Sequence, residues 1–272
     1  MQYIFDAWPA VEARLAPRPG GLSMPGTILV LSDFDGTLAP IVPVPDDACL
    51  PPFTRTLLEQ LAAIDRYLLG IVSGRALADL KGRVSIPGII YAGNYGLEME
   101  SPWASVVHPR AEGLRRTIDG LYHHLQGALT GIEGVLVEYK TLSLSVHYRL
   151  ASSEDHGRIK KAVDQALMAS QVGQAIDISA GKKVWELTPS IDWDKGNVVD
   201  YLLDGNPRLC RPVLPLFLGD DRCDEPGFAA VDRYDGISIF VGDGPETWSR
   251  ARYFLRCTDD VAEFLRRLLA LA

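Results

Sequence analysis

Short apolar runs alternate with helical stripes in the first third of the chain. Residues 27–32 (TILVLS) and 67–72 form continuous apolar runs, which are typical of strands buried on both faces of a parallel sheet. Between them, apolar residues recur at helical spacing over 53–64. A shorter helix is predicted over 75–81 and a third strand over 88–92. This alternation predicts a parallel sheet with helices on its faces.

The same alternation returns after Pro189. Helices are predicted over 195–203, 225–231 and 261–269, and strands over 213–218 and 236–241. The second stretch therefore continues the α/β pattern of the first.

The segment between these two stretches follows a different pattern. It predicts two helices, over 114–129 and 159–167, and four strands, over 135–140, 142–149, 175–179 and 183–187. In the second of these strands, apolar residues alternate with Ser143, Ser145, His147 and Arg149, so one face of the sheet is polar. Such a face points either at solvent or at a polar site.

The two patterns predict an α/β protein with an insertion. We assign a Rossmann-like core with a parallel sheet to residues 25–108 and 186–272, and an inserted α+β cap domain to residues 109–185. Residues 1–24 are predicted to be an N-terminal extension, with a short helix that leads into a Pro/Gly-rich linker over 17–26.

Composition narrows the classes of function. Of the 272 residues, 47% are hydrophobic and 23% charged, as in globular rather than disordered or fibrous proteins. The net charge of −8 argues against nucleic-acid binding, which needs clustered basic residues. No apolar stretch reaches the roughly 20 residues that span a bilayer, and the start lacks a signal-peptide pattern. The four scattered cysteines contain no Cys-x-x-Cys pair, which favours the cytoplasm. We therefore expect a small-molecule partner rather than a nucleic acid or a membrane.

Two carboxylates follow the first predicted strand directly, in the sequence Asp33-Phe34-Asp35-Gly36-Thr37. Ligands of open α/β sheets bind beyond the carboxyl ends of the strands. Two carboxylates at i and i+2 beside a glycine turn can meet there, one as nucleophile and the other as acid/base. An aspartate-rich turn is the alternative, but the position after an apolar strand favours a functional site.

An acidic cluster with the sequence GDDRCDE follows a predicted strand in the second half of the chain. Mg²⁺ takes oxygen ligands and uses one or two carboxylates, so Asp220 could complete a metal site begun by Asp33. Asp224 and Glu225 also suit the N-terminus of a helix. We favour a metal role for Asp220 and leave Asp221 and Asp224 open.

Two further signals are weaker when taken singly. Ser73-Gly74-Arg75 lies between a strand and a helix, where a hydroxyl and helix amides can hold a phosphate, although an ordinary N-cap looks the same. Lys195 lies at the start of a helix, where the helix dipole disfavours a positive charge. Its position indicates an anionic partner, or a solvated surface lysine.

In combination and in this order, the four signals resemble the four motifs of the haloacid-dehalogenase (HAD) type phosphohydrolase superfamily. The chain is also similar to the trehalose-6-phosphate phosphatase family in five segments: 92–98 (AGNYGLE), 137–143 (VEYKTLS), 146–149 (VHYR), 185–189 (WELTP) and 194–196 (DKG). It departs from that family at Tyr95, where a histidine is usual, and at Arg222, where a threonine is common. The resemblance implies a HAD core with a C2-type cap that hydrolyses trehalose 6-phosphate.

The resemblance also implies roles for individual residues. Asp33 would form an aspartyl-phosphate, Asp35 would be the general acid/base, and Lys195 would offset negative charge. The implied cofactor is Mg²⁺, held by Asp33, the backbone carbonyl of Asp35 and Asp220, with Asp221 and Asp224 as possible outer residues. The implied phosphate-binding residues are Ser73, Gly74, Arg75, Gly36 and Thr37.

Substrate selection is predicted to lie in the cap. Glu138 and Lys140 share one strand face by their two-residue spacing, and their charged groups can bind sugar hydroxyls. A solvated face with cross-strand ion pairs is the alternative that the residues alone leave open. By resemblance, the substrate-binding residues are Asn94, Glu138, Lys140, Glu186, His147 and Arg149. For His147 and Arg149, a structural role explains the pattern nearly as well.

Two other functions are alternatives to this one. A phosphatase of the same fold could act on another sugar phosphate, such as a sucrose or glycosyl-glycerate phosphate. A non-catalytic sugar-phosphate-binding module would not need a nucleophile beside an acid/base, so the intact Asp33, Asp35, Lys195 and Asp220 argue against it.

Overall fold

The protein, in a computed structural model, consists of two compact units. The first comprises Met1–Ser105 and Trp193–Ala272, and the second comprises Val106–Asp192. The structure describes residues 1–16, 26–170, 174–181, 183–204, 212–244, 246 and 248–272. Apart from Gly26, the linker predicted over 17–26 lies outside the described residues.

Helices and strands occur in most of the places that the sequence pattern indicates. In chain order the strands are β1 (Gln2–Tyr3), β2 (Thr27–Ser32), β3 (Tyr67–Val72), β4 (Ile90–Gly93), β5 (Glu98–Ser101), β6 (Ala104–Val107), β7 (Leu136–Tyr139), β8 (Leu144–His147), β9 (Ile176–Gly181), β10 (Val184–Pro189), β11 (Val213–Gly219), β12 (Ile237–Val241) and β13 (Tyr253–Leu255). The helices are α1 (Trp8–Leu15), α2 (Pro52–Ala62), α3 (Leu77–Val84), α4 (Pro109–Ala128), α5 (His156–Ala169), α6 (Lys195–Leu203), α7 (Glu225–Arg233) and α8 (Thr258–Ala270). Short 3-10 turns include Pro45–Asp47 and Arg222–Asp224.

A nine-stranded sheet, in the order β1-β13-β12-β11-β2-β3-β4-β5-β6, forms the centre of the first unit. β2 pairs in parallel with β11 and with β3, β4 continues in parallel beside β3, and β5 is antiparallel to β4. Because β2, β3 and β11 run in the same direction, their last residues, Ser32, Val72 and Gly219, lie at the same edge of the sheet. The mainly parallel sheet confirms the predicted α/β class.

The continuous apolar run of β2 is explained by cover on both faces of the sheet. Ile28 and Val30 pack into one buried cluster, which includes residues of α2 and α8. Leu29 and Leu31 pack into a second cluster, which includes residues of α6 and α7. A strand with helices on both sides has no polar face, so its sequence does not alternate.

The N-terminal residues belong to the first unit rather than forming a separate extension. β1 extends the sheet by pairing with β13, and Val11 and Leu15 of α1 are fully buried in the first cluster. The sequence pattern did not predict β1, β13, β5 or β6. These strands have two to four residues each, too few to establish a periodicity. On α2, Phe53 is 60% exposed, so it does not belong to the apolar stripe in which it was placed.

The second unit contains an antiparallel sheet in the order β7-β8-β10-β9. Residues of α4 and α5, among them Ile118 and Ile159, pack on its apolar face. Because β10 is a central strand of this sheet, residues 186–192, which the sequence analysis placed in the core, lie in the second unit.

Two other properties of the described chain bear on its class. Among the helices in the described residues, none combines the length and apolar character needed to cross a membrane. The described cysteines Cys49, Cys223 and Cys257 are free thiols.

Candidate active site

Asp33 lies immediately beyond the carboxyl end of β2. Its backbone N–H donates to the carbonyl of Leu218 on β11 at 2.9 Å, which fixes it between the two central strands. Its side chain is buried, and Oδ1 lies 2.9 Å from Lys195 Nζ. The first aspartate of the Asp33–Thr37 segment, the DxDGT sequence, is therefore a buried carboxylate that is bonded to a lysine.

Lys195 reaches this carboxylate from the first residue of α6. The carboxylate of Asp194 caps the helix by accepting from backbone N–H groups of its first turn, and the side chain of Asn197 accepts from the Asp194 N–H in return. The Lys195 side chain is only 1% exposed and donates to Asp224 Oδ1 at 2.6 Å. The alternative of a solvated surface lysine is therefore wrong.

Asp224 organises the acidic loop that follows β11. Its Oδ2 accepts hydrogen bonds from the backbone N–H groups of Asp220 and Asp221, each at 3.0 Å. Asp221 in turn accepts from the N–H of Arg222 and caps the 3-10 turn. Asp221 and Asp224, whose roles the sequence left open, thus shape the loop that presents Asp220.

Gly36 allows Asp220 to approach the loop after β2. Its backbone φ is +87°, a value that residues other than glycine rarely adopt. A Cβ placed on Gly36 would also overlap the carboxylate of Asp220. The glycine of the DxDGT sequence is therefore required both by the turn and by the space that Asp220 occupies.

Burial is the largest influence on the pKa values of Asp33, Asp220 and Lys195. It raises the pKa of Asp33 to about 7, although the charge of Lys195 acts in the opposite direction. Burial, together with the charge of Asp33, raises the pKa of Asp220 to about 8. Burial by itself would lower the pKa of Lys195, but the charges of Asp224 and Asp33 hold that pKa well above its usual value. Ionising all of these carboxylates at once would thus place more negative charge in the site than one lysine balances.

The acidic group fits a magnesium ion in both geometry and charge. Within the described residues, Asp33, Asp220 and Asp224 can place one ligand oxygen each within 4.8 Å of the others. Both oxygens of Asp224 already accept bonds from Lys195 or from backbone N–H groups, which leaves Asp33 and Asp220 to face a cation. Mg²⁺ prefers oxygen ligands and commonly takes one or two carboxylates, so the donor set suits it.

The predicted phosphate-binding residues lie in two loops at this edge of the sheet. Ser73 follows β3, is almost fully buried, and its Oγ accepts from the N–H of Arg75 at 3.2 Å. It is not the N-cap of α3, because that helix begins at Leu77 after Ala76. Thr37 is fully buried, and its Oγ1 has no hydrogen-bond partner among the described residues. A buried hydroxyl without a partner suits a site that a ligand completes.

Arg75, which was also predicted to bind phosphate, is bonded to other side chains. Its Nε and Nη2 donate to Oδ2 and Oδ1 of Asp35 at 2.6 and 2.7 Å, and its Nη1 donates to Asp79 at 2.9 Å. Burial tends to lower the pKa of Arg75, but its bonds to Asp35 and Asp79 raise it instead. The guanidinium thus links the Ser73 loop to the DxDGT loop.

A turn with left-handed backbone conformation, after β4, is hydrogen-bonded to the Ser73 loop. Asn94, Tyr95 and Gly96 all have positive φ, and the backbone N–H groups of Asn94 and Tyr95 donate to the carbonyls of Arg75 and Ser73. Asn94 was predicted to bind substrate, but its side chain is fully buried and donates to Glu98 at 2.7 Å. The same Glu98 oxygen accepts from the N–H of Leu77, so Glu98 fixes both the turn and α3.

Glu98 and Ser145 are two site-supporting residues that sequence reasoning missed. Glu98 was visible in the AGNYGLE segment, but nothing in its spacing indicated a bond to the start of α3. Ser145 stood in the polar alternation of β8, and the register of the sheet places it between Glu138 and Glu186.

The polar face of the second unit brings the predicted sugar-binding residues together. Lys140 Nζ lies 3.3 Å from Glu186 and 3.8 Å from Glu138, and Ser145 donates to Glu186 at 2.7 Å. His147 Nε2 lies 2.7 Å from Glu138. These side chains form one connected polar cluster across β7, β8 and β10. Arg149 follows β8 in an exposed turn.

A family model decides the relationship of the chain to known proteins. The model of the trehalose-phosphatase family matches residues 31–259, which contain both acidic loops, Lys195 and the polar cluster. The chain belongs to the trehalose-phosphatase family. This confirms the resemblance drawn from the DxDGT sequence and the segments of the cap.

The curated relatives of this trehalose-phosphatase family member include a mycobacterial protein. The trehalose-phosphate phosphatase of Mycobacterium marinum is 37% identical over 257 residues, which are 92% of this chain and 63% of that protein. The chain thus spans about three-fifths of the length of the first curated relatives that it matches.

Two solved structures share the fold of this family member. A trehalose-6-phosphate phosphatase related protein superposes with a TM-score of 0.77 at 20% identity, covering 89% of this chain and 97% of that chain. The C-terminal domain of the Candida albicans trehalose-6-phosphate phosphatase gives a TM-score of 0.72 at 23% identity, covering 91% and 94%. At these identities the comparison establishes the fold alone.

Proposed function

We propose that the chain is a Mg²⁺-dependent phosphatase that hydrolyses trehalose 6-phosphate to trehalose and phosphate. The observation that carries this proposal is the buried Asp33, which is bonded to Lys195 and lies beside Asp220 at the edge of the sheet. The substrate is taken from the family and from the name of the Mycobacterium marinum relative. A role in trehalose synthesis and a cytoplasmic location are part of the same proposal.

The reaction proceeds in two displacements on phosphorus. In the first, a bond forms between a carboxylate oxygen of Asp33 and phosphorus while the bond from phosphorus to the sugar oxygen breaks, and Asp35 gives that oxygen a proton. In the second, water bonds to phosphorus, the bond to Asp33 breaks, and a proton of the water passes to Asp35. Asp33 and Asp35 thus return to their starting forms, and trehalose and phosphate are released.

The charged groups around Asp33 make this attack feasible. Asp33, Asp220 and the backbone carbonyl of Asp35 would hold Mg²⁺, which when bound would reduce the repulsion between the carboxylate and the phosphate and stabilise charge at phosphorus. Lys195 adds a positive charge next to Asp33. Ser73 and Thr37 are proposed to hold the phosphate oxygens that are not transferred, because both hydroxyls are buried in these loops.

The polar cluster of the second unit is proposed to bind the sugar. Lys140 is buried and lies within 4 Å of two carboxylates, so ammonium donors and carboxylate acceptors are grouped on one sheet face. Sugar hydroxyls both donate and accept, and such a mixed group can bond several of them at once. Cross-strand ion pairs alone would stabilise the sheet equally well without selecting a substrate, so selectivity is the property to measure.

A substrate panel with and without Mg²⁺ tests the proposed function. Phosphate release, measured with malachite green, is expected to be fastest for trehalose 6-phosphate, with kcat/KM at least about 10-fold above that for sucrose 6-phosphate, a glycosyl-glycerate phosphate and glucose 6-phosphate. EDTA is expected to abolish turnover and added Mg²⁺ to restore it.

Each arm of the panel can contradict a different part of the proposal. Equal rates on unrelated phosphates would exclude selectivity for trehalose 6-phosphate. Full activity in EDTA would exclude the cation. Tight binding of trehalose 6-phosphate without turnover of any phosphate would identify a binding module instead of an enzyme.

Replacing Lys140 by methionine is expected to impair sugar recognition. Because the loss of an ammonium donor weakens hydrogen bonds to the sugar, KM for trehalose 6-phosphate should rise about 10-fold, while kcat/KM for p-nitrophenyl phosphate stays nearly unchanged. Lys160→Met, which removes a lysine of α5 in the same unit, is the matched control and should leave both values unchanged. An equal loss on both substrates for Lys140→Met would show that the residue is structural.

A further inference from the structure

The guanidinium of Arg75 uses most of its N–H groups in hydrogen bonds within the protein. Its side chain is 7% exposed, and both of its bonds to Asp35, at 2.6 and 2.7 Å, form a bidentate pair. Nη1 donates to Asp79, and Nη2 also donates to the carbonyl of Pro45 at 2.9 Å. Arginine has five N–H donors, and four of them are used in these bonds: one on Nε, one on Nη1 and two on Nη2. Binding a phosphate with two parallel bonds would require giving up a bond to Asp35 or Pro45.

The bidentate pair determines where the Asp35 carboxylate points. Asp35 follows Asp33 by two residues, yet within the described residues the carboxylates that can share a cation are those of Asp33, Asp220 and Asp224. Both oxygens of Asp35 are instead directed at Arg75, and its side chain remains 38% exposed. A carboxylate that bound the cation through its side chain would be a poor proton donor and acceptor, because the metal would occupy its lone pairs.

We infer that Arg75 is a positioning residue that acts through Asp35, and not a ligand of the phosphate. It holds the Asp35 carboxylate outside the cation group. The bidentate pair uses two of the roughly four acceptor positions of a carboxylate, so the partly exposed side chain can still pass a proton to the departing sugar oxygen and take one from the attacking water. The inference rests on the proposed function, since it assumes that Asp35 is the acid/base.

The chain offers a matched control in Arg83. Arg83 donates to both oxygens of Asp79, at 2.9 and 2.8 Å, and to the backbone carbonyls of Asp46 and Ala48. It therefore shares Asp79 with Arg75 and is mostly buried. In contrast to Arg75, its bonds go to Asp79 and the 46–48 segment, and in the described part of the chain no bond joins it to Asp35. Loss of Arg83 disturbs the same ion-pair network without removing the bidentate pair.

The test compares two leaving groups in Arg75→Met, Arg83→Met and Asp35→Asn. An aryloxide departs without a proton, whereas a sugar alkoxide needs one, and kcat/KM reports the steps up to formation of the aspartyl-phosphate. Arg75→Met is expected to lower kcat/KM for trehalose 6-phosphate about 10- to 100-fold. For p-nitrophenyl phosphate, the same variant should lower kcat/KM by less than about 3-fold. Inhibition by orthovanadate should be unchanged, and Arg83→Met should show no difference between the substrates.

The double variant Arg75→Met/Asp35→Asn extends the test. If Arg75 acts through Asp35, the double variant is expected to hydrolyse trehalose 6-phosphate no more slowly than Asp35→Asn alone. An equal loss on both substrates, together with weaker inhibition by vanadate, would overturn the inference and make Arg75 a phosphate ligand. Additive losses in the double variant would overturn it as well.

The test still gives a clear answer if Arg75→Met does not fold or if the enzyme prefers a different substrate. If Arg75→Met does not fold, Arg75→Lys replaces it, because lysine keeps the charge but cannot bond both oxygens of Asp35 in parallel. The same difference between leaving groups is then expected, and its absence counts against the inference. If the wild-type chain prefers another sugar phosphate, that ester serves as the alkyl substrate, so a wrong substrate assignment is distinguished from a wrong role for Arg75.

Discussion

Asp33→Asn is expected to lower kcat for trehalose 6-phosphate by a factor on the order of 10³ or more, because the amide lacks the nucleophilic oxygen that forms the phosphoryl ester. Asparagine has nearly the same shape and can still accept a bond from Lys195, so the fold should persist. The proposed covalent step predicts a second result. Acid-quenched wild-type enzyme should retain labelled phosphate on the protein, and the variant should retain none.

An exposed aspartate provides the control for this experiment. Asp47→Asn, in the 3-10 turn Pro45–Asp47, removes the same charge from the surface and should leave kcat unchanged. Full turnover in Asp33→Asn, measured by phosphate release, would exclude the covalent mechanism and leave the family assignment intact.

Lys195→Met is expected to lower both stability and activity. The side chain lies between Asp33 and Asp224, at 2.9 and 2.6 Å, and its removal leaves buried carboxylates without their cationic partner. Breaking a buried ion pair in this way costs about 3–5 kcal/mol in the free energy of unfolding, which urea denaturation measures. Turnover should fall as well, because Lys195 helps to balance the charge around phosphorus.

The pH dependence of that stability loss has a defined sign. Burial raises the pKa of Asp33 in the folded protein to about 7 even against the charge of Lys195, compared with about 4 in the unfolded chain, and without Lys195 nothing opposes this rise. The folded state then binds more protons, so the variant should lose stability as pH rises from about 4 towards 8 and recover it at low pH.

A partly exposed lysine, Lys81, provides the control for Lys195. Lys81→Met removes a partly exposed ion pair with Glu100 and should cost less than about 1 kcal/mol. A loss as small as this for Lys195→Met would contradict the buried ion-pair role.

Several features of the site could be predicted because they follow from local sequence. The run TILVLS predicts β2 to the residue, and a parallel sheet places its carboxyl end beside those of β3 and β11. Asp33, Ser73 and Asp220 each follow one of these strands directly, so their convergence needed no knowledge of side-chain contacts. The order of these motifs also indicated the family, which the family model confirms.

Other features depend on contacts between residues far apart in the chain. Strands β13 and β1 are too short to be recognised by periodicity. They form because β13 pairs with β12, and β1 then pairs with β13 at the edge of the sheet. Glu186 was assigned to the core by its position in the chain, but the pairing of β10 with β8 and β9 places it in the second unit.

The α/β class, the strands that carry the acidic loops and the family can all be inferred from the amino-acid sequence, because hydrophobic periodicity and short motifs are local properties. The burial of Lys195 between Asp33 and Asp224, the role of Asp224 in shaping a loop and the bond from Arg75 to Asp35 become visible only in the folded chain. This is because a side chain's partners depend on which backbone segments pack together. Residues 35 and 75, or 195 and 224, become neighbours only after the sheet has formed.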